Sequence, residues 1–278
     1  MDLAAALQAG TLLQAAYAHD FDVQPNYDGQ TYAGFQVLQT IYADDLATDI
    51  SKSLGLPSKV VSIGYVAQNT AALGEYIAVI RGTEGIWEWI QDAKLLPIPF
   101  TAVNGAGLTE DGFTDMYNSF RTAPGAVPAS IAGVLSGLFT TPVTKLTICG
   151  HSLGSALATL LALDVVVNSP YQSPQVYTFA SPRVGDLHFS NYFNSIVPDC
   201  YRIANRLDLV THIPLPPLYI HVGDETELNP GKSVVNNPAC MHHIDTYMFL
   251  LAPATNPLDK DCAVAPPVPP PPAPVETA

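Results

Sequence analysis

Charge is scarce in this chain, and basic charge scarcer still. Charged residues make up 13% of the 278 residues, and eleven Lys and Arg stand against 25 Asp and Glu, for a formal net charge of −14. The basic residues form no stripe, so nucleic acid and anionic membrane surfaces are poor partners on charge grounds, whereas a neutral, apolar substrate is compatible. Long apolar runs are missing as well. The longest candidate, Ala156 to Val167, is broken by Thr159 and Asp164 and is too short to span a bilayer. Four cysteines, at 149, 200, 240 and 262, are too few for a disulfide scaffold at this length. Cys149 falls in a core-like strand and reads as a buried thiol. A Cys240–Cys262 bridge would tie down the C-terminal segment, and the sequence leaves that pairing open. Met1-Asp2-Leu3-Ala4 carries no basic leader region, which leaves an intracellular protein or one whose leader has been removed, the secreted reading being preferred. Histidines and acids show no compact metal-ligand spacing, and no phosphate-cradling glycine loop precedes a helix. Neither a metal nor a nucleotide cofactor is expected.

What remains is strongly apolar. With 48% hydrophobic residues, a chain of this length can bury a large core, and one α/β domain is expected over residues 1–262. Ala4 to Ala18 reads as a helix, and Leu38 to Leu54 as containing a second. Val60 to Val66 and Glu75 to Arg81 are β-branched and strand-like. Phe113 to Arg121 and Ser130 to Leu138 suggest helices. Gln175 to Ala180, Tyr201 to Ala204 and Leu218 to Val222 again read as strands, and a last helix begins near His243 and runs to Leu251. Strands spaced by helices predict a mostly parallel sheet covered on both faces. From Ala263 the composition turns proline-rich, so 263–278 is expected to be an extended, flexible tail.

One pentapeptide carries chemistry. Gly150-His151-Ser152-Leu153-Gly154 lies between the β-rich run Val143 to Cys149 and the helix-forming run Ser155 to Leu163. Gly-x-Ser-x-Gly at a strand-to-helix junction is the pattern of a nucleophile elbow. Small residues at 150 and 154 let strand and helix approach closely. The Ser152 hydroxyl then projects past the strand end, and the following amide lies at a helix N-terminus, where an oxyanion can be held. The bland alternative is a glycine-flanked loop serine.

A serine nucleophile needs a base, and the base needs an acid to orient it. In an α/β-hydrolase-like chain the order is Ser, then Asp or Glu, then His. Histidines 188, 212, 221, 242 and 243 follow Ser152. Asp208 lies just beyond the strand Tyr201 to Ala204, and His242 and His243 sit at a loop–helix junction that could reach the elbow. The residues alone do not choose between the paired histidines.

Further motifs fall in a consistent order: Ile80-Arg81-Gly82-Thr83, Gly112-Phe113, Ser181-Pro182-Arg183-Val184-Gly185, Asp208-Leu209-Val210-Thr211-His212-Ile213-Pro214 and Tyr219-Ile220-His221-Val222-Gly223. With the elbow they give the chain a resemblance, to about Leu251, to the class 3 lipases, whose best-known members are filamentous-fungal triacylglycerol lipases. One departure is Glu110, where that family often has a histidine. The resemblance implies an α/β-hydrolase fold with a mostly parallel central sheet and a short helical lid. It implies a catalytic set of Ser152, Asp208 and His242, the last because the family pattern puts the base five residues before a tyrosine, here Tyr247. Backbone amides of Thr83 and Leu153 would form the oxyanion hole. Asp92 would either support the Thr83 hydroxyl or serve as a plain surface residue. His212 and His221 would be structural, and His151, beside the elbow, reads as a local hydrogen-bonding residue.

The lid would span about 84–100. Ile86, Trp89 and Ile90 share one helical face, and Trp87 lies off it, placed to meet lipid. The bland alternative is a core-facing helix. A monomeric lipase acting on acylglycerols at a lipid–water interface is the expectation. The alternatives are a feruloyl or other carboxylesterase on the same scaffold, or a non-catalytic lipase-like binding protein. Exposing apolar surface costs roughly 25 cal/mol per Å² in water, and an oil surface removes that cost. The rate is therefore expected to rise as a triglyceride passes from monomer to emulsion. Trp87→Ser and Trp89→Ser are expected to slow emulsion hydrolysis more than hydrolysis of soluble short-chain esters, a comparison made by assaying both substrates across the solubility limit.

Overall fold

The computed structural model describes residues 1–18, 25–45, 59–82 and 96–264. Thr83, Ile86, Trp87, Trp89, Ile90 and Asp92 lie outside the described residues, as does the tail from residue 265.

A sheet of eight strands organises the described chain, in the order β1-β2-β3-β4-β7-β8-β9-β10. Its first half is an antiparallel meander of β1 (Thr31–Tyr32), β2 (Phe35–Asp44), β3 (Val60–Asn69) and β4 (Glu75–Ile80). From β4 onward every pairing is parallel, through β7 (Lys145–His151), β8 (Gln175–Phe179), β9 (Cys200–Asn205) and β10 (Asp224–Leu228). Separately, β5 (Pro97–Pro99) and β6 (Leu108–Glu110) form a hairpin, so the C-terminal end of the expected lid is a short strand.

Both faces are covered, and the alternation along each strand says by what. On β4, Ile77 and Val79 point to one core while Tyr76, Ala78 and Ile80 point to the other, as the two-residue strand period requires. The first core is roofed by the N-terminal helix Leu3–Tyr17 and the last helix Ile244–Leu251, through Ala9, Leu12, Leu13, Tyr247 and Met248. The second lies under the elbow helix Leu153–Asn168 with helices Asp111–Asn118, Ile131–Leu138 and Leu187–Ile196. The elbow helix is buried on every side from Leu153 to Val166, which its Ala- and Leu-rich sequence permits.

Within the Leu38 to Leu54 stretch expected to contain a helix, Leu38 to Asp44 belong to a strand: Phe35, Val37, Thr40, Ile41 and Tyr42 suit a pleated surface, and the segment pairs along β3 with two register irregularities. The stretch from residue 46 lies outside the described residues. One expectation is overturned: Leu218 to Val222 is not a strand. Ile220 makes a lone bridge to Gly185, prolines at 214, 216 and 217 remove backbone donors upstream, and the last strand is the acidic Asp224–Leu228. The sequence also gave no sign of the helix Leu187–Ile196, capped by Asp186 accepting from the Phe189 amide. Cys240 and Cys262 form a disulfide, and Cys149 and Cys200 are buried thiols. Ala263 and Val264, taken from sequence as tail, pair with Val234 and Ser233.

Glu110 ends β6 and caps the helix that follows, its Oε2 accepting from the Phe113 amide at 2.9 Å. Burial, with the hydrogen bond and charge of neighbouring Asp111, raises its pKa from 4.5 to about 8. The folded state therefore holds a proton that the unfolded chain releases. Stability from this group is full below about pH 4.5 and is lost as pH rises toward 8. Glu110→Gln keeps a neutral cap, so its melting temperature is expected to fall less between pH 5 and pH 8.5 than that of the wild type, as calorimetry across roughly that range would show.

Candidate active site

Parallel pairing brings several strand ends to one edge of the sheet. Ile80 of β4 is registered with Gly150 of β7, His151 of β7 with Phe179 of β8, and Phe179 with Ile203 of β9. Gly82, Ser152 and Asp208 follow the carboxyl ends of β4, β7 and β9. Sites in open parallel sheets are built at such ends.

The elbow is tight. Ser152 has φ +59° and ψ −131°, a region that L-residues rarely occupy and that costs on the order of 1–3 kcal/mol. Close packing holds it there. A Cβ on Gly150 would sit 2.1 Å from the Gly154 carbonyl oxygen, and one on Gly154 would sit 2.2 Å from that of Ile80. The Ser152 amide donates to Phe179 O at 2.9 Å, and the Ser155 hydroxyl lies 2.8 Å from Gly150 O and 2.7 Å from Phe179 O. The turn thus aims the Ser152 side chain off the sheet, and Leu153 opens the helix.

Ser152 Oγ lies 2.7 Å from His242 Nε2, and His242 Nδ1 lies 2.8 Å from Asp208 Oδ2. His242 ends the short helix Pro238–His242 and is nearly buried. Asp208 is fully buried, and a carboxylate there must be satisfied by donors. Its Oδ1 accepts from the Val210 amide at 3.0 Å, and its Oδ2 accepts from the Tyr247 hydroxyl at 2.7 Å as well as facing the imidazole. Tyr247 also receives the Asn205 amide at 3.1 Å, and Asn205 Nδ2 donates to Met241 O at 2.8 Å. Burial and the nearby Asp208 charge hold the Tyr247 hydroxyl protonated, well above the ordinary tyrosine range. The base therefore sits in a frame spanning β9, the acid loop and the last helix.

None of the other described histidines hydrogen-bonds to the side chains of Ser152, His242 or Asp208. His243 has half its side chain exposed and faces Asp245 at 3.6 Å. His212 is exposed beside Arg206 O at 3.2 Å. His221 donates through Nε2 to Thr211 O at 2.8 Å, and burial, aided by Arg202, lowers its pKa to about 3. His151 is buried between two contacts, Tyr17 Oη at 2.8 Å from Nδ1 and His242 O at 2.9 Å from Nε2. Sequence reasoning missed Tyr17, a residue at the end of an alanine-rich helix with no local mark of a site. Among the described residues, no group of three or more His, Cys, Asp or Glu is placed to hold a metal ion.

The sequence profile of the family described as Lipase (class 3) matches residues 77–217. A lipase of Rhizomucor miehei is 34% identical over 151 residues, covering 53% of this chain and 40% of that protein. A phospholipase A1-II 7 of Oryza sativa subsp. indica is 32% identical over 228 residues, covering 68% of this chain and 56% of that one. The chain thus spans about half the length of these curated relatives. Among solved structures, a triacylglycerol lipase described as having a serine protease triad at its catalytic centre superposes with a TM-score of 0.59 and 26% identity, over 80% of this chain and 78% of that one.

The contacts at Gly154 set a local expectation. Gly154→Ala would force a methyl group into backbone carbonyls, and overpacking of this kind costs about 1–3 kcal/mol. A loss of about 3–10 °C in melting temperature is expected at this chain size. Gly137→Ala, where a Cβ meets nothing within 4 Å on a surface helix, is expected to be neutral or slightly stabilising, so the pair of melting curves separates elbow packing from helix propensity.

Proposed function

The chain belongs to the class 3 lipase family, and from that footing we propose that it is a serine carboxylic-ester hydrolase, specifically a triacylglycerol lipase. The unbroken contact chain from Ser152 through His242 to Asp208 carries this reading. Ser152 Oγ attacks the acyl carbonyl carbon while its proton passes to His242 Nε2. Asp208 keeps the Nδ1–H tautomer and stabilises the imidazolium that forms. The carbonyl oxygen becomes an oxyanion, held by the backbone amides of Leu153 and Thr83, the former at a helix N-terminus where amides lack intrahelical acceptors. Collapse expels the alcohol with the proton from Nε2. Water, activated by the same imidazole, then releases the acid and restores Ser152. The set comes from one chain, so this chemistry calls for no residue from a second copy, and a monomer is proposed.

Lipid as the substrate rests on three supports. The relatives named above are a lipase and a phospholipase A1. The sequence of 86–100 is apolar enough for a lid. Close to Asp208 in sequence, Leu207, Leu209, Leu215 and Leu218 are each left exposed, apolar side chains that a lipid phase would cover. A second reading, cleavage of phospholipid acyl esters, draws on the rice relative, whose match extends over more of this chain. The Cys240–Cys262 disulfide supports work in an oxidising compartment, and among the described residues no helix is long and apolar enough to cross a membrane.

Parallel assays on p-nitrophenyl esters of increasing chain length, emulsified triglyceride, phosphatidylcholine vesicles and methyl ferulate test the substrate class. Hydrolysis of the emulsion should exceed that of methyl ferulate; the reverse order would leave a feruloyl-type esterase. Ser152→Ala and His242→Ala are each expected to lower kcat by roughly 10⁴-fold or more, because members of such a set act as a unit. Asp208→Asn should also cripple turnover by misorienting the imidazole. His243→Ala and Asp245→Asn should keep substantial turnover, and the opposite ranking of the two histidines would move the base by one residue.

A further inference from the structure

We propose that Tyr17, on the N-terminal helix, is a positioning residue that ties the Gly82 backbone, beyond the end of β4, to the backbone of the base through His151. The proposal rests on the reading of Ser152 and His242 as nucleophile and base. Three contacts in series carry it. The Gly82 amide donates to Tyr17 Oη at 2.6 Å, Tyr17 Oη lies 2.8 Å from His151 Nδ1, and His151 Nε2 lies 2.9 Å from His242 O.

The direction of every proton in this series is forced. A backbone carbonyl can only accept, so His151 Nε2 carries the ring proton. Its Nδ1 is then bare in the neutral ring and must accept, which makes the Tyr17 hydroxyl the donor. A lone pair of the same hydroxyl receives the Gly82 N–H. The environment keeps the ring neutral: burial, reinforced by His242, pushes the His151 pKa well below the ordinary histidine range. Burial likewise keeps the Tyr17 phenol protonated, its pKa raised above the ordinary value. The relay therefore has one arrangement through the working pH range and moves no proton.

What it joins matters more than its own strength. Gly82 directly precedes Thr83, and a Cβ at Gly82 would lie 2.9 Å from Tyr17 Oη and 3.0 Å from Ser152 Cβ. The backbone leading into the oxyanion donor thus packs on the nucleophile itself. At the other end, the ring of His151 lies beside that of His242, centroids 5.0 Å apart, and holds the carbonyl of the residue that bears the base. Both ends feel the same two side chains. A misplacement of about 1 Å in a catalytic group can cost on the order of 10²-fold in rate, so loosening this tie is expected to slow the chemical step while leaving substrate affinity nearly intact.

Tyr17→Phe removes only the hydroxyl. With p-nitrophenyl butyrate, kcat per active site, counted by titration with a p-nitrophenyl phosphonate, is expected to fall tenfold or more with KM within threefold. Phosphonylation of Ser152 should slow in parallel. His151→Gln should give the same kcat–KM split, and the double variant should be no worse than the poorer single one within twofold. A Tyr17→Phe protein whose melting temperature falls while kcat per titrated site stays within twofold would overturn the proposal, as would multiplicative losses in the double variant. Should Tyr17→Phe fail to fold, the same kcat–KM criterion applied to His151→Gln decides. Ser152→Ala separates the two readings: if it retains turnover the nucleophile assignment fails, whereas its inactivity alongside unchanged Tyr17→Phe kinetics defeats the relay alone.

Discussion

The backbone of Ser152 is the constraint on which the rest of the site turns. A serine held at φ +59° between a strand and a helix exists only because its surroundings leave no other path for the chain. Gly150 and Gly154 let the elbow helix press against its own strand and against the end of β4. Phe179 of the neighbouring strand receives the Ser152 amide. A side chain at either glycine, or a displaced β8, would relax the turn and lower the hydroxyl toward the sheet. The wholly buried elbow helix follows from the same demand, since a helix packed this closely on the sheet and roofed by others has no solvent face for polar residues.

A second constraint is the charge at Asp208. Fully desolvated, it is tolerable only with a complete set of donors, and the fold supplies them from three places: the loop's own amide at Val210, the hydroxyl of Tyr247 and the imidazole of His242. Tyr247 reaches the acid from the helix that follows the base, and its oxygen is in turn held by the end of β9. Acid, base and their support are thereby fixed to one another as much as to the sheet. His151 contributes the opposite kind of group, a histidine kept neutral so that its two nitrogens can play unlike roles.

How much of this was legible in the sequence depended on how far apart the partners lie. The elbow was readable because its requirements are local: two glycines, a serine, a strand before and a helix after. Asp208 was readable as an acid beyond a late strand. The choice of His242 over His243 came from family resemblance, since the two imidazoles are chemically alike and only the direction of the short helix Pro238–His242 separates them. Leu38 to Asp44 does not read as a strand from the sequence because local composition does not reveal the antiparallel neighbour that makes it one. Asp224 to Leu228 escaped notice because three acidic residues on an edge strand look like a solvated loop. Tyr17 had no sequence signal at all: its partners lie 65 and 134 positions away.

The Cys240–Cys262 disulfide closes a covalent ring, with the cysteines 22 positions apart, around both groups that reach Asp208 from the C-terminal side, His242 and Tyr247. The outer arc of that ring includes the exposed residues 253–255 and 260–261. A single protease cut in this arc opens the ring without dividing the molecule. The segment after the cut stays bonded to Cys240, two residues from the base, and keeps its pairing of Ala263 with Val234. Nicking within this arc therefore leaves the base joined to both flanking pieces of chain.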